Sequence, residues 1–231
     1  MNEESKEVIF SWYCALESQV AKYLCHVPPH GPNLQAWSPT MASVILSGCG
    51  LLDSIFRDLS ASLLAKYGIS KNAEDLTITD YYRIFEPEWK LSETKGIFLV
   101  SPPEMLNPYG AWASPTYVPL SWWQVHNDLK HDLLSNITNA TFQSARDTLC
   151  AVLLAISSCK ALRPHLLRQK WINTGDWGIP YLLENMGANA KVTLETDLFA
   201  VPIGFRSQFS DIKRFNPNEW EPSSRVSAFF R

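Results

Sequence analysis

The chain has no surplus of positive charge. Its 20 Lys and Arg face 23 Asp and Glu, for a net charge of −3, which excludes a general nucleic-acid binder; any RNA contact would have to use a local basic patch. Long hydrophobic runs are also missing. The longest clean one, CAVLLAI from Cys150 to Ile156, is far too short to span a bilayer, so no membrane association is expected. The start, MNEESKEVIF, lacks a basic stretch followed by an apolar core, the mark of a secretory signal. Cysteines are few, scattered and odd in number: Cys14, Cys25, Cys49, Cys150 and Cys159. They form no disulfide framework and read as reduced thiols, which predicts a cytoplasmic protein. In that setting the glycosylation patterns at Asn136 and Asn139 carry little meaning. No internal repeat is apparent. Cys25-His26-x3-His30 fits no tetrahedral zinc spacing and lies in a proline-rich loop, so neither a metal nor a cofactor is expected.

What is present is a globular balance, 46% hydrophobic and 19% charged, enough for one well-buried core. Residues at three-to-four spacing (Ile9, Trp12, Tyr13, Leu16, Val20, Tyr23) predict a helix over Glu4–Leu24, stopped by HVPPHGP. Ser38-Pro39 is a cap followed by a first-turn proline. It opens a long helix traced by Met41, Ile45, Leu52, Ile55, Phe56, Leu59, Leu63 and Tyr67 and ending at Gly68. The middle of this helix reads SGCG, and Gly48 and Gly50 should mark the closest approach of another backbone.

From Lys71 to Leu120 the pattern breaks up. TDYYRIF predicts a short helix, GIFLV and TYVPL short strands able to pair, and SPPEMLNPYGAWASP a loop. Ser121 and Gln124 form a capping-box pattern for a helix to about Ser135. Thr141 or Asn139 should cap another, running to about Ala161. Beyond it lie a helical turn at IPYLLENM, a strand-like KVTLETDLF and an irregular tail, NPNEWEPSSRVSAFFR. The expectation is one mainly α domain over residues 1–231. Its helical core covers about 4–67 and 121–161, with a loop and β insertion at about 71–120 and a mixed C-terminal segment at about 171–231.

The chemistry is concentrated in WWQVHNDLKHD, Trp122 to Asp132. On a helix, Asn127, Lys130 and His131 share a face at i, i+3 and i+4. Trp123 and Leu134 should extend that face as apolar neighbours, with His126 to the side and Asp128 and Asp132 in solvent. Such a face needs partners if buried, and Asp53 or Ser47 on the glycine-bearing helix could supply them. Asn, Lys and His on one helical face also occur in satisfied buried networks and in interfaces. Trp112, Trp122 and Trp123 are most simply packing residues rather than base-stacking platforms.

The segment WWQVHNDLKHDLLSNITNATFQSARDTLCAVLLAI resembles the central part of HEPN-like bacterial proteins. Theirs is a tryptophan-initiated helix with an N-x-x-K-H-(D) core, a short turn containing AT or AN, and a long apolar helix. Trp122, Trp123, Asn127, Lys130, His131, Asp132, Ala140 and Thr141 match. SVILSGCGLLDSIFRDL, with its small residues and Asp53, resembles the helix that usually precedes it. The resemblance covers about half the chain. It implies a HEPN-like helical bundle, a homodimer, and a metal-independent ribonuclease or RNase-derived component of a bacterial defence or toxin–antitoxin system.

The family's signature pairs an arginine with a later histidine. Here the histidine is His131 and the arginine's place is held by His126, which is charged only below a pKa of about 6.5; Lys130 could supply a permanent cation instead. In that reading His131 moves a proton, Asn127 orients it or the phosphate, and Lys130 stabilises charge on the phosphate oxygens. RNA is the implied substrate, and an antitoxin or another defence component an implied partner. Two alternatives stay open: a non-catalytic interaction module that keeps this face for its fold or its dimer, and a sensing subunit that binds a phosphate there.

Overall fold

Asn2 caps the first helix, α1 (Glu3–Leu24), by accepting a 2.7 Å hydrogen bond from the Ser5 amide. Its buried stripe is Ile9, Phe10, Tyr13, Leu16 and Val20. The chain then runs through a proline-rich loop to α2 (Pro39–Ser60), where the Ser38 hydroxyl accepts from the Met41 amide at 3.1 Å. Both starts follow from satisfying otherwise orphaned amides in the first turn. The computed structural model describes residues 1–173, 193–202, 204–205 and 220–221.

The second helix ends at Ser60 and not at Tyr67. There the Leu63 and Leu64 amides both turn onto the Ser60 carbonyl, at 2.7 and 3.1 Å. Turns follow as far as Gly68, whose φ is +61°. Leu63, Leu64 and Tyr67 still pack against the core. The apolar period therefore outlasts the helical hydrogen bonding. The next helix, α3 (Ile78–Trp89), covers the expected TDYYRIF. It opens with a capping box between Thr77 and Asp80 and buries Tyr81, Ile84 and Phe85.

α4 (Ser121–His131) and α5 (Leu133–Asn136) replace the single helix expected to reach Ser135. The break is at Asp132, whose carboxylate accepts from the Ser135 amide at 3.1 Å and so caps a new helix. α6 (Phe142–Ser158) starts at Thr141, which accepts from the Ser144 amide, and ends three residues short of Ala161. It is buried nearly all round and forms the centre of the molecule. α1, α2 and α4 all pack against it, and α2 also packs against α4. A short α7 (Arg163–Arg168) follows.

A β-carbon added at Gly48 would sit 2.8 Å from the Thr148 methyl of α6, so that glycine does mark the close approach of two helices. Gly50 does not, because nothing lies within 4 Å of a β-carbon there.

Five short antiparallel strands form one sheet in the order β2-β1-β5-β4-β3. They are β1 (Gly96–Phe98), β2 (Glu104–Leu106), β3 (Ile172–Asn173), β4 (Thr193–Glu195) and β5 (Phe199–Pro202). GIFLV thus supplies a strand, but TYVPL does not. The partner of β1 is EML, inside the segment expected to be loop, with Ile97 opposite Met105. From Thr193 on, where the described residues resume, KVTLETDLF becomes β4, a tight turn and the start of β5, with Leu194 opposite Val201. Glu17 of α1 holds that turn. Its buried carboxylate accepts from the Leu198 amide at 3.0 Å, the Tyr13 hydroxyl at 3.4 Å and the Thr196 hydroxyl. A separate pair, β6 (Gly204–Phe205) and β7 (Trp220–Glu221), is antiparallel too. IPYLLENM, and the tail apart from Trp220 and Glu221, lie outside the described residues.

The helices and the five-stranded sheet share one hydrophobic cluster. Among the described residues, Pro39–Ser60 is the one unbroken helix long and apolar enough to cross a membrane by length and composition, and over half of that window is buried inside the protein. The bent pair Phe142–Ser158 and Lys160–Leu166 passes the same test only if counted as one span.

Candidate functional site

α4 is positioned by its tryptophans. The Trp122 indole donates to the Pro108 carbonyl at 2.8 Å, and the Trp123 ring meets it edge-on at 5.7 Å. Leu120 is the N-cap and Ser121 the first helical residue, so the expected capping box does not form. Trp122, Trp123, His126 and Leu129 are the buried residues, and Trp112 is buried against the Tyr82 and Tyr109 rings. Packing is therefore the role of all three tryptophans.

This burial corrects the orientation expected from the sequence. With adjacent tryptophans, either Trp122 or Trp123 could set the inward seam. The seam that includes Leu129 turns His126 inward, half-buries Asn127, and leaves Lys130 and His131 exposed on the last turn. Leu134 does not extend the face of α4. It follows the break at Asp132 and is 88% exposed.

His126 lies against the Trp123 ring at 5.1 Å, with its Nδ1 buried and without a hydrogen-bond partner. Burial is the main force pushing its pKa below the ordinary value, and Lys130 and His131 push the same way. Asp53 and Asn127 oppose them. Near neutral pH the imidazole is therefore neutral, and cannot replace an arginine as a permanent cation.

Asp53 lies on α2, which packs against α4. Its hydrogen bonds go elsewhere: one oxygen accepts from the Tyr81 hydroxyl at 2.8 Å and the other from the Arg57 guanidinium. This binds α3 to α2 beside α4. Tyr81 is fully buried, and burial together with the Asp53 carboxylate drives its pKa well above the usual phenol value. Neither Arg57 nor Tyr81 was anticipated. Arg57, at i+4 from Asp53, could have been read as a helical ion-pair partner; Tyr81 left no signal in the sequence. Ser47 is not part of this group, since it lines a groove on another face of α2, against α1.

The α4 end thus offers an exposed imidazole, an exposed ammonium, a half-buried amide and a neutral buried imidazole, backed by Asp53. An exposed imidazole can move a proton near neutral pH, and an ammonium can stabilise phosphate charge. Among the described residues, no three His, Cys, Asp or Glu side chains are placed to hold a metal ion. His26 and His30 flank the loop after α1. The chain matches no protein-family model, no curated protein and no solved structure.

Proposed function

We propose that this chain is a HEPN-like protein that cuts RNA without a metal ion, as a homodimer in the cytoplasm, within a bacterial defence or toxin–antitoxin system. The observation that carries the reading is the exposure of Lys130 and His131 together on the last turn of α4, beside half-buried Asn127. A purely structural network would be satisfied inside the core; these two side chains face outward.

Two copies apposed at this face would put two imidazoles and two ammonium groups around one phosphodiester. That would make a locally cationic cleft on a net-acidic chain. A ribose 2′-hydroxyl attacks phosphorus and the 5′-oxygen leaves, giving a 2′,3′-cyclic phosphate and a 5′-hydroxyl end. His131 takes the proton from the nucleophile, its counterpart in the second copy protonates the leaving oxygen, and Lys130 stabilises charge on the non-bridging oxygens. Asn127 orients the group beside it. Neutral His126 and Asp53 support α4 from behind.

The test is cleavage of end-labelled RNA in the presence of EDTA. The expected result is EDTA-resistant cutting that a 2′-deoxy residue at the scissile position abolishes. Cutting that needs a divalent ion, or that ignores the 2′-deoxy substitution, overturns this mechanism.

A second reading has its own observation. Leu134 is 88% exposed next to His131, and His126 in the arginine's place is neutral. These features support a non-catalytic interaction module whose α4–α5 corner contacts a second copy, or an antitoxin or defence partner. Under that reading no RNA is cut, and Leu134→Ser disrupts the assembly.

A further inference from the structure

Between α1 and α2, away from the α4 face, lies a groove of about 550 Å³. Val8 and Trp12 stand on its α1 side, 47% and 50% exposed, and Ser47, Gly50 and Ser54 line its α2 side together with Leu51, Ile55 and Asp58. A glycine inside a helix weakens it relative to alanine. Gly48 is explained by the approach of α6, but Gly50 faces open space with nothing within 4 Å. No contact among the described residues explains it, and it is an exposed position on the groove wall.

We propose that this groove seats a cationic amphipathic helix of another protein. Length favours a helix: Ser47 to Asp58 spans about three turns, roughly 16 Å along α2. The small side chains on that wall let another backbone come close, while Val8 and Trp12 provide apolar contact. Charge selects the partner. Among the described residues the charged groups lining the groove are the Glu4 and Asp58 carboxylates and the Met1 amino group, and no Lys, Arg or His side chain lines it. Asp58 is partly engaged by the Met1 amino group at 2.9 Å and its side chain stays 44% exposed. A second copy docked through this same face would set these carboxylates against their own kind, whereas lysines flanking an apolar stripe would meet them favourably.

The probe is a fluorescein-labelled synthetic helix with leucines at i, i+3, i+4 and i+7 and lysines on both flanks, followed by fluorescence anisotropy. Its control has glutamate at every lysine position. Gly50→Leu fills the groove at a site where a side chain meets nothing, and leucine is the better helix former, so folding is preserved. The lysine peptide is expected to saturate the wild type and to bind about tenfold or more tightly than the glutamate peptide. Gly50→Leu should weaken it by about tenfold or more with an unchanged or higher Tm, and Glu4→Lys should narrow the preference between the peptides. Absence of saturable binding, or equal binding by Gly50→Leu, overturns the proposal. So does sedimentation showing that Gly50→Leu dissociates a homo-oligomer, which would assign the groove to a second copy.

Discussion

The same substitution, glycine to alanine, should have opposite effects at two positions a single residue apart on α2. At Gly50 an added β-carbon meets nothing within 4 Å, so Gly50→Ala gains only helix propensity, about 1 kcal/mol. At Gly48 the β-carbon would lie 2.8 Å from the Thr148 methyl, and Thr148 is fully buried. A β-branched side chain in a helix is stiff at χ1, so the methyl cannot swing clear, and overpacking of this kind costs about 1–3 kcal/mol. Set against the same propensity gain, Gly48→Ala should lose up to about 2 kcal/mol.

Thr148→Ser is the control. It removes the obstructing methyl but keeps the hydroxyl, which donates to the Ser144 carbonyl at 2.8 Å. In that background Gly48→Ala should cost little or stabilise. Urea unfolding reads all of this, since a change of 1 kcal/mol moves the midpoint by roughly 0.3–1 M at a typical m-value. Two alanine variants that shift in the same direction, or a Gly48–Thr148 coupling below about 0.5 kcal/mol, would refute the packing of α2 on α6.

Burial raises the Glu17 pKa above the ordinary carboxyl value. Its contribution to stability is therefore full below the unfolded pKa of about 4.3 and is lost as pH rises through the higher folded value. Glu17→Gln keeps the oxygen that accepts from Leu198, Thr196 and Tyr13, so its stability relative to wild type should improve between pH 4 and pH 7, as read by unfolding at each pH. Glu17→Ala leaves the buried Leu198 amide unpaired and should cost about 1–3 kcal/mol by the same assay. Tyr81→Phe removes the hydrogen bond to the Asp53 carboxylate and should lower stability by about 1.5–3 kcal/mol, with the Tm falling by several degrees; an unchanged Tm would contradict the α2–α3 link.

Two helix starts were legible because they depend on local chemistry, while the capping box expected at Ser121 does not form. Ser38-Pro39 and Thr141 are caps in the sequence and caps in the structure. Helix ends were not. Leu63 and Tyr67 keep packing inward after the hydrogen bonds change at Ser60, and Asp132, solvent-exposed as the sequence suggests, also caps a new helix at the end of α4. Strand pairing was half legible. GIFLV has the composition of a strand, but its partner EML is chosen by tertiary register, which local pattern does not encode.

The site shows the same division. Its residue types were visible in WWQVHNDLKHD, but which of two adjacent tryptophans sets the seam was not. The seam is what turned His126 inward and His131 outward. Asp53 was legible as a candidate partner of the motif, but its hydrogen bonds go to Arg57 and to Tyr81, which the fold alone brings in from α3.

The most direct test of the functional reading pairs RNA cleavage with thermal unfolding for wild type and His131→Ala. Because His131 is exposed at the end of α4, the substitution should leave the Tm within about 1–2 °C, as for a surface change of 0.5 kcal/mol or less, while abolishing cleavage by an active wild type. A large fall in Tm with no cleavage by either protein would contradict it, and would make WWQVHNDLKHD a folding element.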